Sequence, residues 1–346
     1  MAEPEVIPYL PLDIALDCLY RVPFNFFPTV RQVCSSWRTL FSSPSFSEAR
    51  RTKGYQTHLA CIVQAAPSTP GKSPVYSISA YDQKQNSWTV LPPIPDLSYG
   101  IPLFCSCVSL GSQIVVLGGW DPSSWTVLTY VYIYDFVQAR WRRGASMPTA
   151  RSFFGCAANE GRILVAGGHD SGKKALQSAE VYNIVTDAWE ALPNMNQERD
   201  ECKAVCLGGK FVVISGFSTD SQGQFASTAE SFDFSKMEWR AEGSFWPAGR
   251  PPTSIVQFRE QLYAILDGQL VRLRHAEKVW EPVCSLPAGV KAPACAVPLG
   301  DGILVVGFCG NGAITSVLWS VETPSSWKDL DASFGTVQHN ACTVQV

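Results

Sequence analysis

Two different apolar spacings divide the chain. Across Thr29–Ser42, the residues Val30, Val33, Cys34, Trp37, Leu40 and Phe41 recur at three- and four-residue steps and draw one apolar stripe along a helix. The run Ser42-Ser43-Pro44 stops that helix, because proline cannot continue one from inside. Upstream, Asp13–Val22 reads as a shorter helix between Pro11 and Pro23, with Ile14, Leu16, Cys18, Leu19 and Val22 as its apolar residues. Three short helices in roughly 40 residues can barely bury this much apolar surface alone. Either a partner protein or the neighbouring domain must cover the rest.

From about residue 57 the pattern changes to short β-type runs punctuated by glycine, proline and asparagine. The runs repeat. Trp88, Trp141, Trp189, Trp239, Trp280 and Trp327 are spaced 53, 48, 50, 41 and 47 residues apart. Seven residues before each stand Tyr81, Tyr134, Tyr182, Phe232, Leu273 and Ser320, aromatic in the first four and degraded in the last two. Between tryptophans lies an apolar strand ending in glycine, as in Leu164-Val165-Ala166-Gly167-Gly168. In the third unit four β-runs are expected, near 153–158, 162–168, 177–184 and 187–192.

A period near 48 with four strands per unit predicts an all-β propeller. The glycine pair marks a turn where a side chain would clash, and the aromatic before each tryptophan should pack on it across a hairpin. The first unit has no innermost strand of its own, whereas residues 337–346 supply a β-run beyond the last tryptophan. This C-terminal strand is expected to complete the first blade, giving six blades without an open edge.

The 16% of charged residues and 46% of hydrophobic ones allow a sizeable core. A net charge of −3 offers no electrostatic case for nucleic acid or an anionic membrane, and no apolar stretch is long enough to span a bilayer. The acidic N-terminus has no signal-peptide layout, and no N-x-S/T sequon occurs. An intracellular protein of the cytoplasm or nucleus is expected, with its 12 cysteines reduced and many of them buried in apolar runs.

The repeat resembles the kelch motif, in the order Arg151, Gly167-Gly168, Val181-Tyr182, Trp189, Pro193. In the fifth copy Leu266-Asp267-Gly268 replaces the glycine pair, so that blade is expected to be irregular. The N-terminal segment resembles the F-box through Leu10-Pro11-x-Asp13-Ile14, Leu19-x-Arg21-Val22-Pro23, Val30-Arg31-x-Val33-Cys34-x-x-Trp37 and Ser43-Pro44-x-Phe46. The expected organisation is an all-α F-box at 7–50, a linker at 51–56 and a six-bladed kelch propeller at 57–346. The combination is similar to a large plant F-box/kelch-repeat family of substrate receptors in SCF-type ubiquitin ligases. Part of it looks like a subgroup associated with turnover of phenylpropanoid and flavonoid enzymes or of hormone-response regulators.

The resemblance implies that a Skp1-like adaptor, and through it a cullin, binds the helical module. Leu10, Pro11, Ile14, Leu19, Val22, Pro23, Val30, Val33, Cys34 and Trp37 are the candidates for this face, with Leu19 and Val33 also the first candidates for the module's own core. For a target protein, Arg151 and Arg199 each follow a repeat tryptophan by ten residues and Arg250 follows by eleven, which should ring one mouth of the propeller with guanidinium groups. Loops carrying Trp120, Asp121, Trp125, His169, Asp170, Phe217 and Asn311 should open on the same face. Arginine at this place also belongs to the kelch pattern and can instead brace adjacent blades.

Catalysis finds little support in the sequence. The four histidines fall in separate units, with no His-x-x-x-His, Cys-x-x-Cys, Gly-x-Ser-x-Gly or P-loop pattern. Gly167-Gly168-His169-Asp170 reads as a turn rather than a catalytic pair. No cofactor or metal is expected, and the alternatives to a degradation receptor are a non-degradative kelch scaffold or a kelch enzyme.

Overall fold

The tryptophan period is the period of the outer hairpin in each blade. Trp88, Trp141, Trp189, Trp239 and Trp280 sit directly across from Tyr81, Tyr134, Tyr182, Phe232 and Leu273. In the last blade Trp327 faces Trp319, not Ser320, so the aromatic position is kept and the connecting turn is one residue longer. The outer tryptophans also tie blade to blade. Trp141, Trp189 and Trp239 donate their indole N–H to the carbonyls of Pro92, Ala145 and Pro193 in the preceding unit at 2.7–2.8 Å. Trp280 and Trp327 do the same to Phe245 and Ser285.

The computed structural model describes residues 6–65, 75–95, 97–252, 254–309, 314–324, 326–330 and 336–346. Short N-terminal helices precede six four-stranded antiparallel sheets, the blades of a propeller. In five blades the first strand in sequence is innermost: Ser106–Leu110, Gly155–Asn159, Lys203–Leu207, Ile255–Phe258 and Lys291–Leu299. The blade that begins the chain is completed by Thr336–Gln345, which pairs antiparallel with His58–Ala65 and sets Val344 opposite Leu59 and Cys342 opposite Cys61. Thr57 and Val346 exchange backbone hydrogen bonds at 2.8 and 2.9 Å, closing the end of this ladder. Second strands such as Gln113–Leu117 and Arg162–Ala166 are buried almost throughout, as strands covered on both faces must be.

The glycine pair is a steric requirement. A Cβ on Gly167 would come within 2.4 Å of the Arg199 carbonyl oxygen, and one on Gly168 within 2.4 Å of that of Ser152, both at positive φ. The fifth blade, expected to be irregular, keeps four strands. Asp267 and Gly268, both at positive φ, join Gln261–Leu266 directly to Gln269–Arg274 in a two-residue hairpin turn. What this blade lacks is the long loop after its second strand.

The helical segment is more broken than the apolar stripe predicts. Its helices are α1 (Leu12–Tyr20), α2 (Phe27–Val30), α3 (Ser35–Phe41) and α4 (Pro44–Thr52). The helix expected over Thr29–Ser42 is interrupted at 31–34 because Cys34 is extended and caps α3, its Sγ accepting from the Trp37 N–H at 3.5 Å. Pro44 ends α3 and also begins α4, where proline at the first position costs no hydrogen bond and the Ser43 hydroxyl caps the Phe46 N–H at 3.2 Å. The last turn of α4 takes in Arg51 and Thr52, the first two residues of the expected linker.

Leu19, Phe27, Phe41 and Phe46 form the centre of the module, and their cluster continues into Leu59, Tyr134, Phe136 and Val344 of the propeller. Phe24 packs edge-on against Phe136 at 6.2 Å, and Arg31 donates to the Val137 carbonyl at 3.3 Å. Buried Arg50 donates to the carbonyls of Tyr20, Val22 and Tyr55, tying α1 and the chain leaving α4 together, and burial lowers its pKa to about 10. The neighbouring domain therefore covers one side of the helical apolar surface.

Candidate functional site

The mouth of the propeller is built by one small device used three times. The residue after each glycine turn, Trp120, His169 or Phe217, exchanges two backbone hydrogen bonds with Leu103, Ser152 or Asp200 of the chain entering an inner strand. The next residue on that chain, Phe104, Phe153 or Glu201, is held at a φ of +54°, +55° or +51°. Such a backbone is uncommon for residues with a Cβ. Here it turns all three side chains into the lining of one cavity of about 400 Å³.

Phe104 and Phe153 stack with ring centroids 4.6 Å apart, and the His169 ring lies 5.5 Å from Phe153 and 5.8 Å from Trp120. Trp125, Lys173, Asp200, Glu201 and Gln222 complete the lining. His169 is only 7% exposed, and both carboxylate oxygens of Asp200 lie 2.9 Å from its Nδ1. The Nε2 on the other side of the ring is buried and meets no hydrogen-bond partner among the described residues. Burial, with the charge of Asp200 added, raises the pKa of Glu201.

None of the three arginines expected to ring this mouth lines its cavity. Arg151 is 0% exposed; it bonds the Gly167 and Ser178 carbonyls and the Ser178 hydroxyl, with Glu180 at 3.0 Å. Arg199 is 1% exposed and makes the equivalent set with Ser215, Thr228 and Glu230. Their backbone carbonyls accept from Gly119 and Gly168 of the preceding blade, so each arginine braces two blades. Arg250 is exposed, pairs with Asp267 at 2.6 Å and does not line the cavity.

Of the loop residues, Trp120, Trp125 and His169 come together in the cavity. Asp121 and Asp170 instead shape their loops, accepting from the N–H groups of Ser123 and Ser124 and of Gly172 and Lys174. Phe217 is buried edge-on against Phe225, and Asn311 lies outside the described residues. His169 pairs with Asp200, not with the adjacent Asp170. The lining residues Phe104, Phe153, Lys173, Asp200, Glu201 and Gln222 escaped the sequence reading. Phe153 and Glu201 stand two positions after Arg151 and Arg199, a signal that the repeat register carries.

On the helical module, Ile14 (48% exposed) and Val33 (62%) stand out among the candidate adaptor contacts, joined by Leu10, Pro11 and Pro23. Tyr9 and Phe26, not among the candidates, are also exposed. Val22, Val30, Cys34 and Trp37 are half-buried, and the Trp37 indole donates to the Val6 carbonyl at 2.7 Å. Leu19 is core, whereas Val33, its companion as a candidate for the core, lies on the outside.

Residues 7–48 match the F-box domain, and residues 67–265 match the KLHDC2/KLHL20/DRC7 Kelch-repeats domain. The chain belongs to the plant F-box/kelch-repeat family. It is 39% identical to the F-box/kelch-repeat protein At1g80440 of Arabidopsis thaliana, over 96% of this chain and 98% of that one. It is 38% identical to the Arabidopsis F-box/kelch-repeat protein At1g15670, over 89% and 90% of the two chains. To the F-box/kelch-repeat protein SKIP20 of the same plant it is 31% identical, over 96% of each. An F-box joined to a kelch propeller is the general architecture of an SCF substrate receptor, and F-box/kelch proteins are typically non-catalytic adaptors. Among the described residues no cluster of His, Cys, Asp and Glu is arranged to hold a metal ion, and no helix is long and apolar enough to cross a membrane.

Proposed function

We propose that this chain is the substrate-recognition subunit of an SCF-type ubiquitin ligase, its helical module docking a Skp1-like adaptor and its propeller mouth holding the protein to be modified. The observation that carries this reading is the two-sidedness of the module. One side is seated on the propeller through Phe24, Arg31 and the Phe27–Phe41–Phe46 cluster, while Leu10, Ile14 and Val33 remain in solvent. Exposed apolar side chains on so small a module favour a protein partner. The adaptor leads to a cullin, and ubiquitin is transferred by a separate catalytic subunit, so this chain performs no bond chemistry. Such work belongs in the cytoplasm or nucleus, and phenylpropanoid or flavonoid enzymes and hormone-response regulators are the target classes first to be tried.

The test is co-purification with a Skp1-like adaptor. Ile14→Asp and Val33→Asp should each cut adaptor capture about tenfold or more, the scale of an interface hot spot, while the propeller unfolds at its usual midpoint. Pro11→Ala and Trp37→Ala should weaken capture less. Undiminished capture by both aspartate variants would reject this docking face. Partner half-lives compared with and without residues 1–50 then separate a degradation receptor from a scaffold, which would leave them equal.

A further inference from the structure

We propose, building on the reading of the propeller mouth as the target-binding face, that its cavity holds one basic side chain, an arginine or lysine, of the target protein. Charge, hydrogen bonding and ring geometry lead to the same ligand. Arg151 and Arg199 spend their charges on Glu180 and Glu230 inside the wall, so neither offers a positive group to the mouth. Among its described lining residues the cavity presents the carboxylates of Asp200 and Glu201 against the ammonium of Lys173, with Lys203 a further cation acting on Glu201. An acidic or phosphorylated segment would meet like charge there.

His169 supplies the direction of the missing hydrogen bond. Its Nδ1 faces both oxygens of Asp200 at 2.9 Å, so in the neutral ring the proton sits on Nδ1 and the lone pair on Nε2. That Nε2 is buried and unpartnered among the described residues, so an incoming N–H donor completes it. The same cavity is lined by the rings of Phe104, Trp120, Trp125 and Phe153, and the negative face of such a ring attracts a guanidinium or ammonium. A cation also relieves the cost of ionising half-buried Glu201 beside Asp200. A neutral ring bearing one donor would satisfy Nε2 but gain nothing from the carboxylates.

The experiment is titration of the full-length protein with small capped probes, read by the indole N–H signals of Trp120 and Trp125, which Trp120→Phe and Trp125→Phe assign. N-acetyl-arginine amide and N-acetyl-lysine amide should shift these signals saturably. N-acetyl-citrulline amide, of the same shape as arginine but uncharged, should bind about tenfold more weakly, the scale of a partly desolvated cation–π contact. Glu201→Gln should weaken the arginine probe by a similar factor and leave the citrulline probe unchanged. Equal binding of arginine and citrulline, tighter binding of N-acetyl-tyrosine amide, or no shift with any probe would overturn the proposal. Arginine within a five-residue peptide should bind no more weakly than the amide; its exclusion would overturn a protein side chain as the source. Adaptor capture is measured separately, so loss of that function leaves this result standing, and the reverse.

Discussion

Arg199 holds Glu230 at 3.0 Å inside the propeller wall, and neither side chain meets solvent to more than a few per cent. The guanidinium also reaches the Ser215 and Thr228 carbonyls and the Thr228 hydroxyl, so all three of its nitrogens are engaged. Removing it leaves a buried carboxylate without its partner, and Arg199→Ala should cost about 3–5 kcal/mol. Arg199→Lys should recover little of this, because an ammonium cannot reproduce the fork. Denaturant unfolding measures both. A variant that kept its full stability while losing target binding would return Arg199 to the binding surface.

The C-terminal strand closes the ring by pairing with the strand His58–Ala65. Deleting Ala341–Val346 strips that strand's inner edge and uncovers Leu59, Ala60 and Cys61, all fully buried in the intact chain. An apolar edge with free N–H and C=O groups templates pairing with other chains. The truncated protein should therefore lose its single sharp unfolding transition and elute as oligomers in size-exclusion chromatography. A monomeric, cooperatively unfolding truncation would mean that the five other blades hold the ring without it.

Much of this architecture could be read from the chain because the outer hairpin repeats Tyr-x6-Trp and the glycine pair tolerates no side chain. The cavity could not be read so easily. Phe104, Phe153 and Glu201 occupy one structural place but differ in type, and nothing in a phenylalanine announces a positive φ. The fate of the arginines was half legible. Glu180 and Glu230 lie 29 and 31 residues after Arg151 and Arg199, a recurrence that marks a brace once the register is aligned. The helix break at residues 31–34 depends on Cys34 acting as a cap, a role its apolar spacing hides.

Cysteine chemistry should divide along the same lines as burial. Hydrogen bonds from the Ser36 hydroxyl and the Trp37 N–H hold the Cys34 thiol below its usual pKa. Burial raises that of Cys61, and pushes Cys295 up to about 12. Since the thiolate is the reactive form, iodoacetamide at neutral pH should label Cys34 at least about tenfold faster than Cys61 or Cys295 in the folded protein. Peptide mapping by mass spectrometry gives the rates. Adding a Skp1-like adaptor should slow labelling at Cys34 and leave Cys61 and Cys295 unchanged if the docking face is as proposed, and an unchanged rate at Cys34 would count against it as a contact.

Glu201 should make stability and ligand binding depend on pH in opposite directions. Its folded pKa lies above the ordinary value of 4.5, chiefly through burial and then through Asp200, with His169 and Lys203 pulling the other way. Between the unfolded and folded values the unfolded chain gives up its proton first, so stability is lost as pH rises through that window and stays reduced above it. Glu201→Gln cannot ionise, so its advantage over the parent protein should grow as pH rises from the ordinary value of 4.5 through the raised folded value. A basic probe has the opposite preference, since it meets the carboxylate only once Glu201 has ionised. Binding of N-acetyl-arginine amide should therefore strengthen over the interval in which the parent protein loses stability, and Glu201→Gln should abolish that dependence. Thermal unfolding and probe titration at matched pH values check the two slopes together. Parallel slopes, or an equal pH response from the glutamine variant, would show that another group controls both.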